Sequence, residues 1–216
     1  MVREAFARET ARRLLSAHGR TYAQDAGIRL ADRPRPLYQL LVLSVLLSTR
    51  IKAGIAVAAA RELFAAGFGS AEAMRRADWQ DVVDALGRGH YVRYDESTAT
   101  ALHAGAGMLL DRYRGDLRRM RREAGGDVRK LERLLQEVPR LGPVGAAIFC
   151  REAQAVWPEL RPYLDGRALD GARRLGLPTD PGELAALVPA DDLAALAAGL
   201  VRVTLEKDLA RELVPA

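Results

Sequence analysis

Apolar residues in this chain recur every three to four positions, in segments that are closed by capping residues or by glycine and proline. The clearest start signal is Asp180-Pro181-Gly182-Glu183, a capping box with proline at the first helical position. Segment 37–49 is apolar nearly all round and therefore predicts a central, buried helix. No segment of the sequence shows the alternation of a half-buried strand. The pattern predicts an all-α fold.

The chain has 216 residues, enough for one large domain or two small helical lobes. Its formal net charge of +5 suits a phosphate-binding surface but does not identify one by itself. Almost all of the positive charge is arginine, since Lys52, Lys130 and Lys207 are the only lysines. A mechanism that needs a Schiff-base amine therefore has few side chains to draw on.

The composition argues against a metal site, an iron–sulfur cluster and a membrane-spanning segment. The single cysteine, Cys150, cannot build a four-cysteine zinc site or an iron–sulfur cluster, and the three histidines are scattered. We therefore expect no metal and no cofactor. The start of the chain is charged, unlike a signal peptide, and the longest apolar run, 37–49, is too short to span a bilayer. We expect a cytoplasmic protein that does not contact membranes.

A tight turn with the sequence Val138-Pro139-Arg140-Leu141-Gly142-Pro143 separates two apolar helical segments. Such a turn can aim several backbone N–H groups at a phosphate near the N-terminus of the second helix. Taken alone, a plain helix–helix connection explains the turn more simply.

A carboxylate follows an extended apolar approach in the segment Leu164-Asp165-Gly166-Arg167. Asp165 starts a predicted helix, where its side chain can either serve chemistry or cap the helix. Taken alone, the N-cap is the more frequent role.

Two further segments place polar and basic residues where a helix ends. Segment 87–94 holds two glycines, two tyrosines and two arginines, which can stack on a base and hold phosphates, or form a helix C-cap with a packed tyrosine. Segment 47–52 ends the buried helix and is either a binding segment or a solvated helix terminus.

In their order and spacing these segments resemble the helix-hairpin-helix DNA glycosylases, the endonuclease III and adenine glycosylase group. The matching residues are Leu46 to Arg50 for a Leu-Leu-Ser segment, Gly87, Gly89, Tyr91 and Arg93 for Gly-x-Gly-x-Tyr-x-Arg, Gly115 to Leu117 for a Gly before a leucine, Val138 to Gly142 for the Leu-Pro-Gly-hydrophobic-Gly hairpin, and Leu164 to Gly166 for Leu-Asp-Gly. The resemblance covers roughly residues 37–177. Its most specific part is the hairpin with the downstream aspartate.

The resemblance implies a two-lobed fold with a DNA-binding cleft between the lobes. A six-helix barrel with the hairpin would span 37–153, and a second lobe would form from 1–36 and 154–216. It also implies excision of a damaged or mispaired base that is flipped out of double-stranded DNA. Asp165 would be the catalytic carboxylate, which stabilises the positive charge on the sugar and orients or deprotonates water. We expect a nucleoid-associated monomer.

The resemblance also suggests which residues contact DNA. Backbone N–H groups around the hairpin would hold a phosphate, and side chains of the other segments would line the cleft. The expected contacts are Arg140, Leu141, Gly142, Val144, Gly145, Arg50, Lys52, Tyr91, Arg93 and Arg167.

Several positions depart from the pattern of the family. Arg140 stands where the first hairpin glycine is usual, and Val144 where bifunctional relatives place a lysine. Ser44 stands where the adenine-specific enzymes have a glutamate. The segment between the hairpin and Asp165 is about three residues longer than usual, around 157–159. We therefore expect a monofunctional glycosylase. The alternatives are a non-catalytic DNA-binding protein, a lyase or endonuclease that uses Lys52, and a helical interaction domain without DNA affinity.

Overall fold

The computed structural model describes residues 2–206 and 208–213, and within them the chain forms only helices and their connections. The helices are α1 (Val2–His18), α2 (Tyr22–Asp25), α3 (Pro34–Leu47), α4 (Ala53–Ala65), α5 (Ala71–Arg76), α6 (Trp79–Arg88), α7 (Asp95–Tyr113), α8 (Leu117–Ala124), α9 (Val128–Gln136), α10 (Gly142–Ala153), α11 (Gly166–Arg174), α12 (Pro181–Ala185), α13 (Leu193–Leu205) and α14 (Leu209–Leu213). Short 3₁₀ turns cover Pro158–Leu160 and Ala190–Asp192. The all-α prediction is confirmed.

The chain divides into two compact units. Residues 23–150 form one, the central unit, and residues 1–22 with 151–216 form the other, the terminal unit. One division falls inside α10, so that Arg151 begins the second segment of the terminal unit. The domain boundaries that we expect from the sequence, at 36/37 and 153/154, stay a prediction.

Helix α3 forms the centre of the central unit, as its apolar sequence predicts. Nine of its residues, including Leu37, Tyr38 and Leu46, are buried, and it packs against α4 and α8. Proline occupies its first turn, where a missing N–H costs no helical hydrogen bond. A helix that is apolar all round must be covered on all sides, and this burial fixes where its polar C-terminal end emerges.

The terminal unit is built on α13, which packs against α1 and α11. Gly171 allows α11 to approach α13 closely, because a Cβ there would lie 2.0 Å from the carbonyl oxygen of Leu200. The predicted capping box also forms, and the Asp180 carboxylate accepts the N–H of Glu183 at 2.9 Å. Close packing of α11 on α13 fixes the start of α11, where Asp165 lies.

None of the helices in the described ranges has the length and apolar character that crossing a membrane requires.

Candidate functional site

The hairpin between α9 and α10 is a tight turn with two residues in the left-handed region. Arg140 has φ 64° and Gly142 has φ 58°. Leu141 is buried, and its N–H donates to the carbonyl oxygen of Val138 at 3.1 Å. The N–H of Gly145 donates to the carbonyl oxygen of Leu141 at 3.0 Å. Leu141 and Gly145 therefore use their N–H groups inside the turn, which corrects the expectation that these groups face DNA.

Two other N–H groups of the hairpin remain open. Pro143 has none, and the N–H groups of Gly142 and Val144 donate no hydrogen bond within the part of the chain that the structure describes. A Cβ at Gly142 would meet no atom within 4 Å, so the backbone faces open space there. Val144 is 58% exposed. The first turn of α10 can therefore be reached by an anion.

The hairpin packs directly on the C-terminal end of α3. A Cβ at Gly145 would lie 2.7 Å from Leu141 Cδ1 and 3.4 Å from Ser48 Cβ, so it would collide with Leu141 and would contact the residue that caps α3. Arg50 and Lys52 follow Ser48 by two and four residues, and both are exposed. Segment 47–52 thus emerges next to the hairpin.

Segment 87–94 reaches the hairpin through stacked side chains. The guanidinium groups of Arg93 and Arg140 lie 5.2 Å and 5.7 Å from the centroid of the Tyr94 ring. Arg140 also donates to the hydroxyl of Ser97 in α7. We call Arg93, Tyr94, Arg140, Gly142 and Val144 the hairpin surface.

Tyr91 does not belong to this surface. Its ring is fully buried, and its hydroxyl donates to Thr49 Oγ1 at 3.0 Å. Gly89 caps α6 and packs so closely that a Cβ would lie 2.4 Å from Ala59 Cα. The alternative of a C-cap with a packed tyrosine is therefore correct, and the expectation that Tyr91 contacts DNA is wrong. Tyr91 ties its loop to the end of α3 instead.

The charge around the hairpin is mixed but positive. Four basic side chains are exposed there and none has a carboxylate partner among the described residues: Arg50, Lys52, Arg93 and Arg140. Asp95 and Glu96 lie in the same stretch, at the start of α7. Arginines that stack on a tyrosine ring keep their donors directed outward at little entropic cost.

Asp165 caps α11 and also forms an ion pair with a buried arginine. Its Oδ1 accepts the N–H of Ala168 at 2.9 Å, and its Oδ2 accepts from Arg151 Nη1 at 2.5 Å. The side chains of Arg151 and Asp165 are 3% and 13% exposed. The N-cap role that the sequence favours is thus present, together with an arginine partner that sequence reasoning missed. The only signal for it was a charged pair, Arg151 and Glu152, near the end of a helix that is otherwise small and apolar.

The approach to Asp165 is held by a buried glutamine. Gln154 Nε2 donates to the carbonyl oxygen of Tyr163 at 2.9 Å, and the N–H of Tyr163 donates to Gln154 Oε1 at 3.0 Å. Arg161 donates to the carbonyl oxygens of Gln154 and Ala155. These bonds fix the segment that delivers Asp165 to the start of α11.

Arg167 is exposed on α11 of the terminal unit. It lines an open groove with Arg173 and Arg174. Arg173 pairs with Asp170, and Arg174 donates to backbone carbonyl oxygens at the end of α13, whereas Arg167 has no such partner in the described part of the chain. Its guanidinium is thus available to a ligand, and its role in DNA binding stays a prediction.

The described part of the chain contains no set of side chains that could bind a metal ion or an iron–sulfur cluster. No group of three His, Cys, Asp or Glu side chains there could hold a metal ion. Cys150 is buried in α10, and burial raises the pKa of its thiol. One buried thiol does not fit a cluster that needs four thiolate ligands.

Comparison with known proteins identifies the fold. Neither a protein-family model nor a curated protein matches the sequence. Among solved structures, the chain is similar to a trapped endonuclease III–DNA covalent intermediate, an estranged-adenine complex, with a TM-score of 0.55 and 13% identity. The match covers 91% of this chain and 82% of that one. The chain therefore has an endonuclease III-like, helix-hairpin-helix all-α fold, as its motifs predict.

Proposed function

We propose that this protein binds double-stranded DNA through the hairpin surface and excises a damaged or mispaired base as a monofunctional N-glycosylase, without a metal or other cofactor. The observation that carries the proposal is the meeting of three distant segments at one turn, where two open N–H groups lie beside exposed arginines. The fold supports it, because the similar endonuclease III structure is a complex with DNA.

The hairpin surface suits a phosphate of the DNA backbone. The N–H groups of Gly142 and Val144 would donate to phosphate oxygens at the positive end of α10. Arg140 and Arg93 would contact the same or the next phosphate as charged donors. Backbone donors carry no sequence preference, so the hairpin would fix the position of the DNA and leave base recognition to other residues.

Asp165 would act on the sugar of a flipped nucleotide. In excision, the bond between C1′ and the base nitrogen breaks, and its electron pair leaves with the base, which takes up a proton. A water oxygen bonds to C1′ and loses a proton. The carboxylate would stabilise the positive charge on the sugar and accept or direct that water proton. Two of its acceptor positions are occupied in this structure, and a carboxylate has about four.

A lyase step has no matching amine at the hairpin. Val144 occupies the position where a Schiff-base lysine would stand. Excision would therefore leave an intact strand with a baseless sugar, which alkali then cleaves. Lys52 is exposed and is the candidate amine for the alternative. Borohydride trapping of a protein–DNA adduct that disappears in Lys52→Ala would support a lyase.

One observation favours a second function, DNA binding without cutting. Both oxygens of Asp165 are engaged, the side chain is only 13% exposed, and Arg151 cancels part of its charge. A non-cutting protein needs no more from Asp165 than the cap that it provides. Such a protein would bind duplexes with a steep salt dependence and yield no product.

The test is a panel of duplexes that carry alkylated, oxidised, deaminated, abasic or mismatched sites. Strand breaks are counted before and after alkali. We expect breaks on at least one base lesion or mismatch only after alkali, and none above the enzyme-free control with Asp165→Asn. The abasic duplex breaks in alkali without enzyme, so it reports only on a lyase or endonuclease, through breaks that are present before alkali. Asp170→Asn is the matched control, since it removes an exposed carboxylate from the same helix.

Three outcomes distinguish the candidates. Full excision by Asp165→Asn would refute the catalytic assignment. Binding without any product across the panel would favour the non-cutting protein. A lack of salt-dependent DNA binding would refute both and leave a helical interaction domain.

A further inference from the structure

The ion pair in the terminal unit joins the last turn of α10 to the start of α11. Arg151 Nη1 donates to Asp165 Oδ2 at 2.5 Å, and the N–H of Ala168 donates to Asp165 Oδ1 at 2.9 Å. Arg151 is 3% exposed and Asp165 13%. The carboxylate is thus held at each oxygen by a different helix.

Arg151 is poorly satisfied apart from this pair. Its Nε is buried without a hydrogen-bond partner in the described part of the chain, where Asp165 is its one side-chain acceptor. Arg161, by contrast, donates to two backbone carbonyl groups and to Asp191. An unpaired buried donor is costly, and apolar side chains often replace buried ion pairs without loss of stability. The arginine is therefore better explained by a role in holding the Asp165 carboxylate in position than by a contribution to stability.

Hydrogen bonds to both oxygens of Asp165 prevent a rotation of the carboxylate that a capping aspartate can otherwise make. With Ala168 alone, either oxygen can accept the N–H, and the carboxylate torsion is broad and two-fold. The bond from Arg151 selects one arrangement and fixes the plane of the group. The unused acceptor positions of Asp165 then point in a defined direction.

We propose that Arg151 is a positioning residue, which holds the Asp165 carboxylate in the orientation from which it acts on the sugar of the flipped nucleotide. This inference rests on the proposed function. Displacement of a catalytic group by about 1 Å can cost about 100-fold in rate, so a fixed orientation matters to the reaction.

The positive charge of Arg151 and its positioning of Asp165 have opposite effects on the excision rate. A guanidinium beside the carboxylate weakens the attraction that Asp165 exerts on a developing positive charge. If charge alone mattered, removal of Arg151 would raise the excision rate. If positioning dominates, removal lowers it. The sign of the change therefore separates the two effects.

The kinetic test compares single-turnover excision by Arg151→Met, Arg151→Lys and Arg202→Met, each corrected for the folded fraction. We expect Arg151→Met to be about 100-fold slower and Arg151→Lys to recover about 10-fold of that loss. DNA affinity should stay within about 2-fold, because Arg151 is buried and meets no phosphate. Arg202→Met is the matched control, because this half-buried arginine of the same unit donates to the backbone carbonyl oxygens of His18 and Arg20, away from the approach to Asp165. It should lower stability and leave the rate per folded molecule unchanged.

A second readout does not need activity. The amide signal of Ala168 and its hydrogen exchange report the bond to Asp165 Oδ1. We expect this amide to shift and to exchange about 10-fold faster in Arg151→Met, and to stay unchanged in Arg202→Met. If the methionine variant does not fold, Arg151→Gln replaces it in both experiments.

The two readouts separate failure of this inference from failure of the proposed function. A wild-type protein that excises nothing refutes the proposed function, and the Ala168 amide still decides whether Arg151 positions the carboxylate. An unchanged Ala168 amide overturns the inference, as does an excision rate that rises or stays constant in an active background.

Discussion

Replacement of Arg140 by glycine separates the shape of the hairpin from its charge. Arg140 has φ 64°, a conformation that costs an L-residue about 1 kcal/mol and costs glycine almost nothing. The substitution also removes the stacking on Tyr94 and the bond to Ser97, each worth about 0.5 kcal/mol on an exposed surface. Gain and loss nearly cancel, so we expect a free energy of unfolding within about 1 kcal/mol of wild type.

DNA binding by Arg140→Gly should fall although stability does not. Loss of one phosphate contact makes the negative slope of log binding constant against log salt concentration shallower by about 0.9. The loss of affinity between 50 and 200 mM salt is then about 3- to 4-fold smaller than in the wild type. Fluorescence anisotropy with a labelled duplex across this salt range measures both the affinity and the slope. Urea unfolding of the same preparations measures stability.

Arg114→Gly is the matched control for this experiment. Arg114 is also an exposed arginine in the left-handed region, with φ 55°, and it caps α7. It lies about 26 Å along α7 from Ser97, the residue that Arg140 contacts. We expect Arg114→Gly to stabilise the protein by about 1 kcal/mol and to leave the salt slope unchanged. Equal effects of the two variants on DNA binding would refute the hairpin as a specific phosphate site.

Three further predictions follow from burial and close packing. Gly89→Ala should destabilise the protein by at least about 3 kcal/mol, because its Cβ would collide with the backbone of Ala59. Gly87→Ala, whose Cβ would meet no atom, should stabilise the protein by about 0.5–1 kcal/mol. Urea unfolding compares the two variants, and equal effects would contradict the packing. Tyr91→Phe should lose about 1 kcal/mol of stability and leave DNA affinity unchanged, and an affinity loss above about 3-fold would restore Tyr91 as a DNA contact. The buried Cys150 thiol, with its raised pKa, should react with a disulfide reagent at pH 8 only on unfolding, so rapid reaction of the native protein would be inconsistent with this burial.

The features that local sequence determines were predictable. The cap at Asp180 and the buried helix α3 follow from residues that are neighbours along the chain. The order of the motif segments also indicated the hairpin and the endonuclease III-like fold. These signals depend on spacing, which the sequence records directly.

Burial and pairing over distance were not predictable in the same way. The motif that contains Tyr91 specifies an aromatic residue but not whether it faces solvent or the core. The Arg151–Asp165 pair joins residues 14 positions apart, and the stacking of Arg140 on Tyr94 joins two segments that are still more distant in sequence. Such contacts depend on how helices pack, and several partners are chemically equivalent until the packing is known.

The left-handed arginine at the hairpin has a kinetic consequence. A turn that keeps this conformation without a glycine, with Leu141 buried beneath it and packed closely against Gly145, must already be ordered in solution. Its two open N–H groups are preorganised for a phosphate, and no loop has to become ordered on binding. Association should then proceed in one step whose rate rises linearly with DNA concentration, and differences in affinity among ligands should appear in how long each complex lasts.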